Sequence, residues 1–128
     1  MAYCAAMALF NRKPASKKFK IDGADIQRLL PYDIACIATD KITVEGLPVG
    51  CFYRDLDGSQ PNWIFMSGTE SQAYLDDPKN SAIYSLNTIA NYDPAIIPFL
   101  DAPRGSAFER KSPGAEFTPI ADWVPPTD

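Results

Sequence analysis

Twelve prolines in 128 residues, about twice the usual ~5%, constrain this chain more than any other feature of it. Each proline fixes φ at about −65° and withholds a backbone N–H, so a long helix cannot run through it. The chain is therefore expected to build short elements joined by rigid turns. Within that limit a packed core is available. Hydrophobic residues make up 46% and charged residues 22%, ordinary globular usage that argues against wholesale disorder. The length suits one domain.

The sequence contains no histidine. That excludes His-based triads and His-ligated metal sites, and it removes the one side chain that ordinarily titrates near neutrality. Three cysteines, an odd number, speak against a disulfide framework and for a reducing compartment. Residues 1–30 carry six basic side chains against Asp22 and Asp25, whereas the rest carries fourteen acids against six bases. The net charge of −4 thus combines a basic N-terminal arm, residues 1–30, with an acidic domain, residues 31–128. An acidic body repels nucleic acid and is steered toward a basic partner. Lys17-Lys18-Phe19-Lys20 reads as a solvated arm rather than a phosphate contact. Residues 1–10 are apolar, but their positive charges follow rather than precede them, and the run is far shorter than the ~20 residues of a span. A cytoplasmic location without membrane contact is expected, with this run as a loose arm or a short docking helix.

Along the chain, Asp25 to Leu30 has apolar residues at helical spacing and predicts a turn or two of helix stopped by Pro31. Ile34 to Ala38 is a continuous apolar run of strand length. Lys41 to Glu45 alternates, Glu45-Gly46-Leu47-Pro48 reads as a turn, and Val49 to Arg54 as the returning strand of a hairpin. Asp55 to Asn62 is an exposed loop by its Asp-Gly and Gln-Pro steps. Trp63 to Met66 is a third strand. Ser67-Gly68-Thr69-Glu70 has capping-box spacing and predicts a helix through Tyr74 or Leu75, broken at Asp77-Pro78. Ala82 to Ser85 is a fourth strand, and Leu86, Ile89 and Ala90 follow at helical spacing. Asp93-Pro94 supplies an N-cap with proline at the first helical position, and Pro98 keeps that element short or 3₁₀-like. Ser106 to Arg110 reads as a last edge strand, before an irregular Pro-rich tail. The order predicts an α+β domain, a small, mainly antiparallel sheet with short helices packed on one face, with a barrel-like closure of the same strands as the alternative.

The chemistry is sparse. Cys36 and Cys51, side by side if the hairpin forms, lack further zinc ligands and a histidine base, so buried structural thiols are expected. The acidic pairs Asp55 with Asp57 and Asp76 with Asp77 match no calcium loop and suit turns and caps. No cofactor or metal is expected. The most particular stretch is Leu86 to Pro94. There Asn87, Asn91, Tyr92 and Asp93 either satisfy backbone groups inside the fold or form a polar ledge that meets a ligand or protein.

That stretch carries a resemblance. Asp76-Asp77-Pro78-Lys79-Asn80, Ile83 to Asp101 and Gly105 to Arg110 resemble a bacterial family of small domains. Ala38 to Lys41, Val49 to Arg54 and Trp63 to Gly68 look like its opening strands, so the likeness covers about residues 34–110. The family is grouped with the immunity proteins of polymorphic toxin systems, type thirty-three. The resemblance implies a protein that binds a cognate, secreted bacterial toxin and blocks it, without catalysis or cofactor and without residues whose roles transfer. A basic, nuclease-like toxin fits the charge. Asp55, Asp57, Tyr74, Asp76, Asp77, Asn87, Asn91, Tyr92 and Asp93 are the expected contact residues. Two rival readings are a small-molecule or peptide-binding module on the Asn87–Asp93 segment, and an enzyme using carboxylates or Cys51.

Overall fold

The computed structural model describes residues 17–124. The apolar run 1–10, Pro125 and Pro126 lie outside the described residues. Among these residues six strands and three short helices follow one another: β1 (Ala35–Thr39), α1 (Asp40–Thr43), β2 (Cys51–Arg54), β3 (Trp63–Met66), α2 (Gln72–Asp76), β4 (Ser81–Ser85), α3 (Leu86–Tyr92), β5 (Ala107–Glu109) and β6 (Thr118–Pro119). Single 3₁₀ segments occupy Gly23–Asp25, Pro78–Asn80 and Pro94–Phe99. The strands form one sheet in the order β4-β1-β3-β2-β5-β6. β1 and β3 run parallel, and every other neighbouring pair is antiparallel. The α+β expectation, a small and mainly antiparallel sheet, holds.

Alternation along the strands divides the sheet into two faces. Cys36, Ala38, Phe52, Trp63, Phe65 and Phe108 point inward and are buried. Against them pack Leu86, Ile89 and Ala90 of α3, Ile42 of α1, and Ile96 and Leu100 around the 3₁₀ segment. Phe52 is the hub, with ring centroids 5.0 Å from Phe117, 5.1 Å from Phe65 and 5.2 Å from Phe108. The opposite face is less covered. Its central row runs Ile83, Ile37, Ile64, Tyr53, Ala107, each paired with the next across the sheet. Trp123 packs against Tyr53 in that row, with ring centroids 4.8 Å apart and planes tilted by 42°.

Several sequence expectations are corrected. The hairpin is absent: Lys41 to Thr43 are helical, and β2 pairs with β3 and β5. Gly46, at φ 79°, caps that helix, its N–H donating to the Ile42 carbonyl at 3.1 Å. The helix expected over Asp25–Leu30 shrinks to the 3₁₀ segment Gly23–Asp25, and residues 26–30 run without regular structure. Ser71, not Ser67, caps α2. β5 is not an edge, because β6 pairs with it. The tail is built into the fold: Phe117 is buried, and the Arg110 guanidinium lies 4.3 Å from its ring centre. Cys36 and Cys51 sit two strands apart and on opposite faces, since β3 lies between β1 and β2.

Candidate functional site

The segment Leu86–Asp93 is an internal clamp. Ser85 caps α3 through the Asn87 N–H, and the helix presents Asn87 and Asn91 one turn apart on one side. The Asn87 amide accepts from the Leu29 and Leu30 N–H groups at 2.8 and 2.9 Å, and donates to the Gln27 carbonyl at 2.8 Å. Asn91 accepts from the Gln27 N–H at 2.8 Å and donates to the Gln27 and Asn87 carbonyls at 2.9 and 2.8 Å. The Tyr92 hydroxyl accepts from the Ile21 N–H and donates to the Thr43 carbonyl, both at 3.1 Å. Residues 20–30 are thereby laid against the domain, with Leu30 in its core.

Asp93 does three tasks. It caps the 3₁₀ segment through the Ala95 N–H at 3.2 Å and accepts from the Val49 N–H at 3.0 Å. It also forms an ion pair with Arg110, whose side chain is 5% exposed. Arg110 in turn donates from Nε to the Val49 carbonyl at 2.9 Å. This buried pair welds the start of β2 to the chain after β5. Nothing in the sequence spacing marks Arg110 as the partner of Asp93. The polar groups of Asn87, Asn91, Tyr92 and Asp93 are thus spent inside the fold.

The five remaining expected contact residues fall at two ends of the sheet. Asp55 and Asp57 occupy the loop before Trp63, where Asp57 accepts from the Ser59 N–H at 3.0 Å, an arrangement that lowers its pKa. Tyr74, Asp76 and Asp77 follow the other end of the same strand, so the acidic side chains do not form one face. Around Tyr74 they concentrate. Burial pushes its hydroxyl up to about 12, with further contributions from Asp40, Glu45 and Glu70. Lys41 sits 5.3 Å from the Tyr74 ring centre and 3.9 Å from Glu45. Asp40 is bound by Lys17 at 2.9 Å. On α2 itself Leu75 and Asp76 are exposed, and the Gln72 amide donates to Asp76 at 2.9 Å. Asp77 caps Pro78–Asn80 through the Lys79 N–H at 3.0 Å.

Glu70 organises the turn leading to α2. Its carboxylate accepts from Thr39 Oγ1 at 2.6 Å, from the Ser67 N–H at 2.8 Å and from the Gly68 N–H at 2.9 Å. Burial alone would raise its pKa, but these hydrogen bonds outweigh it and hold the group below its usual range. The capping-box spacing therefore has a physical basis, as a carboxylate reaching back to Ser67 rather than as a helix start.

A cleft of about 450 Å³ opens where β2 begins, lined by Leu47 to Cys51, Ser67 to Thr69 and Glu109 to Pro113. Cys51 is half-buried there, and burial with Glu70 and Glu109 pushes its thiol up to about 11. Burial pushes Cys36 up further. A nucleophilic thiol requires the opposite shift. Among the described residues no three His, Cys, Asp or Glu side chains group to hold a metal ion, and no helix is long and apolar enough to cross a membrane.

Comparison with known proteins adds one finding. The model of the family described as the Immunity protein Imm33 domain matches residues 36–121. No curated protein and no solved structure matches the chain.

Proposed function

The chain belongs to the Imm33 immunity protein family, and from that membership we propose that it binds a cognate bacterial toxin and neutralises it in a stoichiometric complex. The family match is the observation that carries this reading. The partner is a secreted effector with a basic surface, as in a nuclease, and the complex forms where the effector meets its antidote inside the protected cell. The contact is centred on α2. Tyr74, with Lys41 over its ring, supplies an aromatic anchor and Leu75 an exposed apolar side chain; Asp76 and Asp77 add negative charge beside them, while Lys17 and Lys41 offset Asp40 and Glu45. Asp55 and Asp57, at the other end of the sheet, add to the long-range attraction without touching the same partner patch. Asn87, Asn91, Tyr92 and Asp93 serve the contact indirectly. Tyr92 holds the Thr43 carbonyl and with it α1, which carries Asp40 beside the patch.

The test starts with the tagged protein, recovered from its host together with the product of the adjacent gene. One near-stoichiometric partner, toxic when expressed alone, is the expected result; the absence of any toxic partner overturns the function. Association is then timed by stopped flow across a salt series. Asp76→Lys combined with Asp77→Asn, which keeps the cap at residue 77, should slow association about tenfold and flatten its salt dependence. An unchanged rate moves the interface away from α2.

A further inference from the structure

The sheet has two outer strands, and they are finished differently. β6 is two residues long, and one of them, Pro119, has no N–H to offer. β4, at the other side, is the five residues Ser-Ala-Ile-Tyr-Ser, without proline or charge. Natural edges are blunted by exactly the features that β4 lacks, among them lysine, proline and bulges.

The hydrogen-bond phase of this edge follows from one bond. Leu86 N–H donates to the Ile34 carbonyl at 2.8 Å, so residues 34 and 86 form a hydrogen-bonded pair in register with β1 and β4. Such pairs alternate along an antiparallel ladder. Ala82 and Tyr84 therefore bond to β1, and the N–H and C=O groups of Ser81 and Ile83 and the N–H of Ser85 point away from the sheet, while the Ser85 carbonyl accepts the first hydrogen bond of α3. Outside the sheet ladder, no hydrogen bond among the described residues is made to the backbone of Ile83, and its side chain is 55% exposed.

We infer that β4 is a self-association edge, pairing antiparallel with β4 of a second copy about a twofold axis at Ile83. The sequence of the strand matches itself in that register. Ile83 faces Ile83 and the two exchange both bonds, and the Ser85 N–H of each copy meets the Ser81 carbonyl of the other, four hydrogen bonds in all. On the core side the register sets small Ala82 against large Tyr84, twice. On the other side the two Ile83 side chains join the Ile83–Ile37–Ile64–Tyr53 rows of both copies into one apolar row. Charge favours a second copy over a basic toxin as the occupant. Two acidic molecules repel at most surfaces, but Ser81–Ser85 is neutral and presents nothing to attract a cationic strand. The inference is independent of the toxin reading and of the α2 patch.

The experiment is sedimentation equilibrium of the whole chain from on the order of 1 μM to 1 mM, a range that spans weak to moderate affinities. The mass should rise from 14.1 kDa toward twice that value. Ile83→Lys, which places two like charges at the axis, should remain monomeric with an unchanged circular dichroism spectrum. Amide exchange gives a second readout in the unaltered chain: the Ile83 N–H should be protected at high concentration and exchange freely on dilution. A wild-type mass of one chain throughout overturns the inference. A doubled mass that survives Ile83→Lys also overturns it, by placing the contact elsewhere. So does a monomer whose Ile83→Lys variant loses the toxin complex instead, which assigns the edge to the partner.

Discussion

Asn87 and Asn91 are one helical turn apart, and between them they bond both backbone groups of Gln27. Asparagine suits this work because one amide both donates and accepts, as an extended strand of backbone requires. Their spacing and the Asp93-Pro94 cap were legible in the sequence; what they bond was not, because Gln27 lies about sixty residues away in the chain. Glu70 is a second residue whose role is set by long-range partners, through Thr39. Its folded pKa lies below the ordinary value of 4.5. The stability it contributes is therefore fully present above that value and is lost as pH falls through the folded one. Glu70→Gln cannot satisfy three donors equally and should lower stability by about 1–3 kcal/mol at pH 7. It should also flatten the fall in urea midpoint as pH drops below the ordinary value of 4.5, relative to wild type. Parallel pH profiles for the two proteins would show that Glu70 does not carry the acid response.

At the scale of elements, short segments decide their form by where they dock. Lys41 to Glu45 alternates like a strand, yet Ile42 and Thr43, neighbours in sequence, are the two buried residues of α1. Over five residues the helical and strand periods are nearly indistinguishable, and the Gly46 that suits a hairpin turn suits a helix cap equally. Trp63–Met66 was readable because a strand-length run of large apolar and aromatic residues has fewer alternatives. The approach of β2 to the turn after β3 rests on Gly50. A Cβ there would lie 1.9 Å from the Ser67 carbonyl oxygen and 2.7 Å from its carbon. Both neighbours are backbone and cannot swing aside. Gly50 also donates to Met66 at 2.9 Å and accepts from the Arg110 N–H at 3.1 Å, so any shift loosens both flanks. Gly50→Ala should cost about 3 kcal/mol and lower the melting temperature by on the order of 10 °C. A melting temperature within a degree or two of wild type would mean that β2 and the Ser67 turn separate without penalty.

Across the whole molecule, the described part of the N-terminal arm behaves as part of the domain. Leu30 is 3% exposed and packs in the core, and α3 and Tyr92 hold residues 20–30 in place. A chain beginning at Pro31 loses about 1.5–3 kcal/mol of buried leucine and leaves the Asn87 amide unsatisfied at about 1–3 kcal/mol. Against a typical stability of ~5–15 kcal/mol that is a large fraction. Urea unfolding should show a clearly lower midpoint than for a chain beginning at Lys17, and equal midpoints would make residues 17–30 dispensable. By itself the sequence determined the fold class, the short elements, the mainly antiparallel sheet and the family, because composition, proline placement and the Leu86–Pro94 motif act locally and recur as patterns. The tertiary structure alone decided strand order, the pairing of Asp93 with Arg110, the division of the acidic residues between two ends of the sheet, and the place of β4 as an outer strand. Each of these depends on which distant segments meet, and that is set by the joint burial of Phe52, Trp63, Phe65 and Phe108, a property of the packed core rather than of any local run of residues.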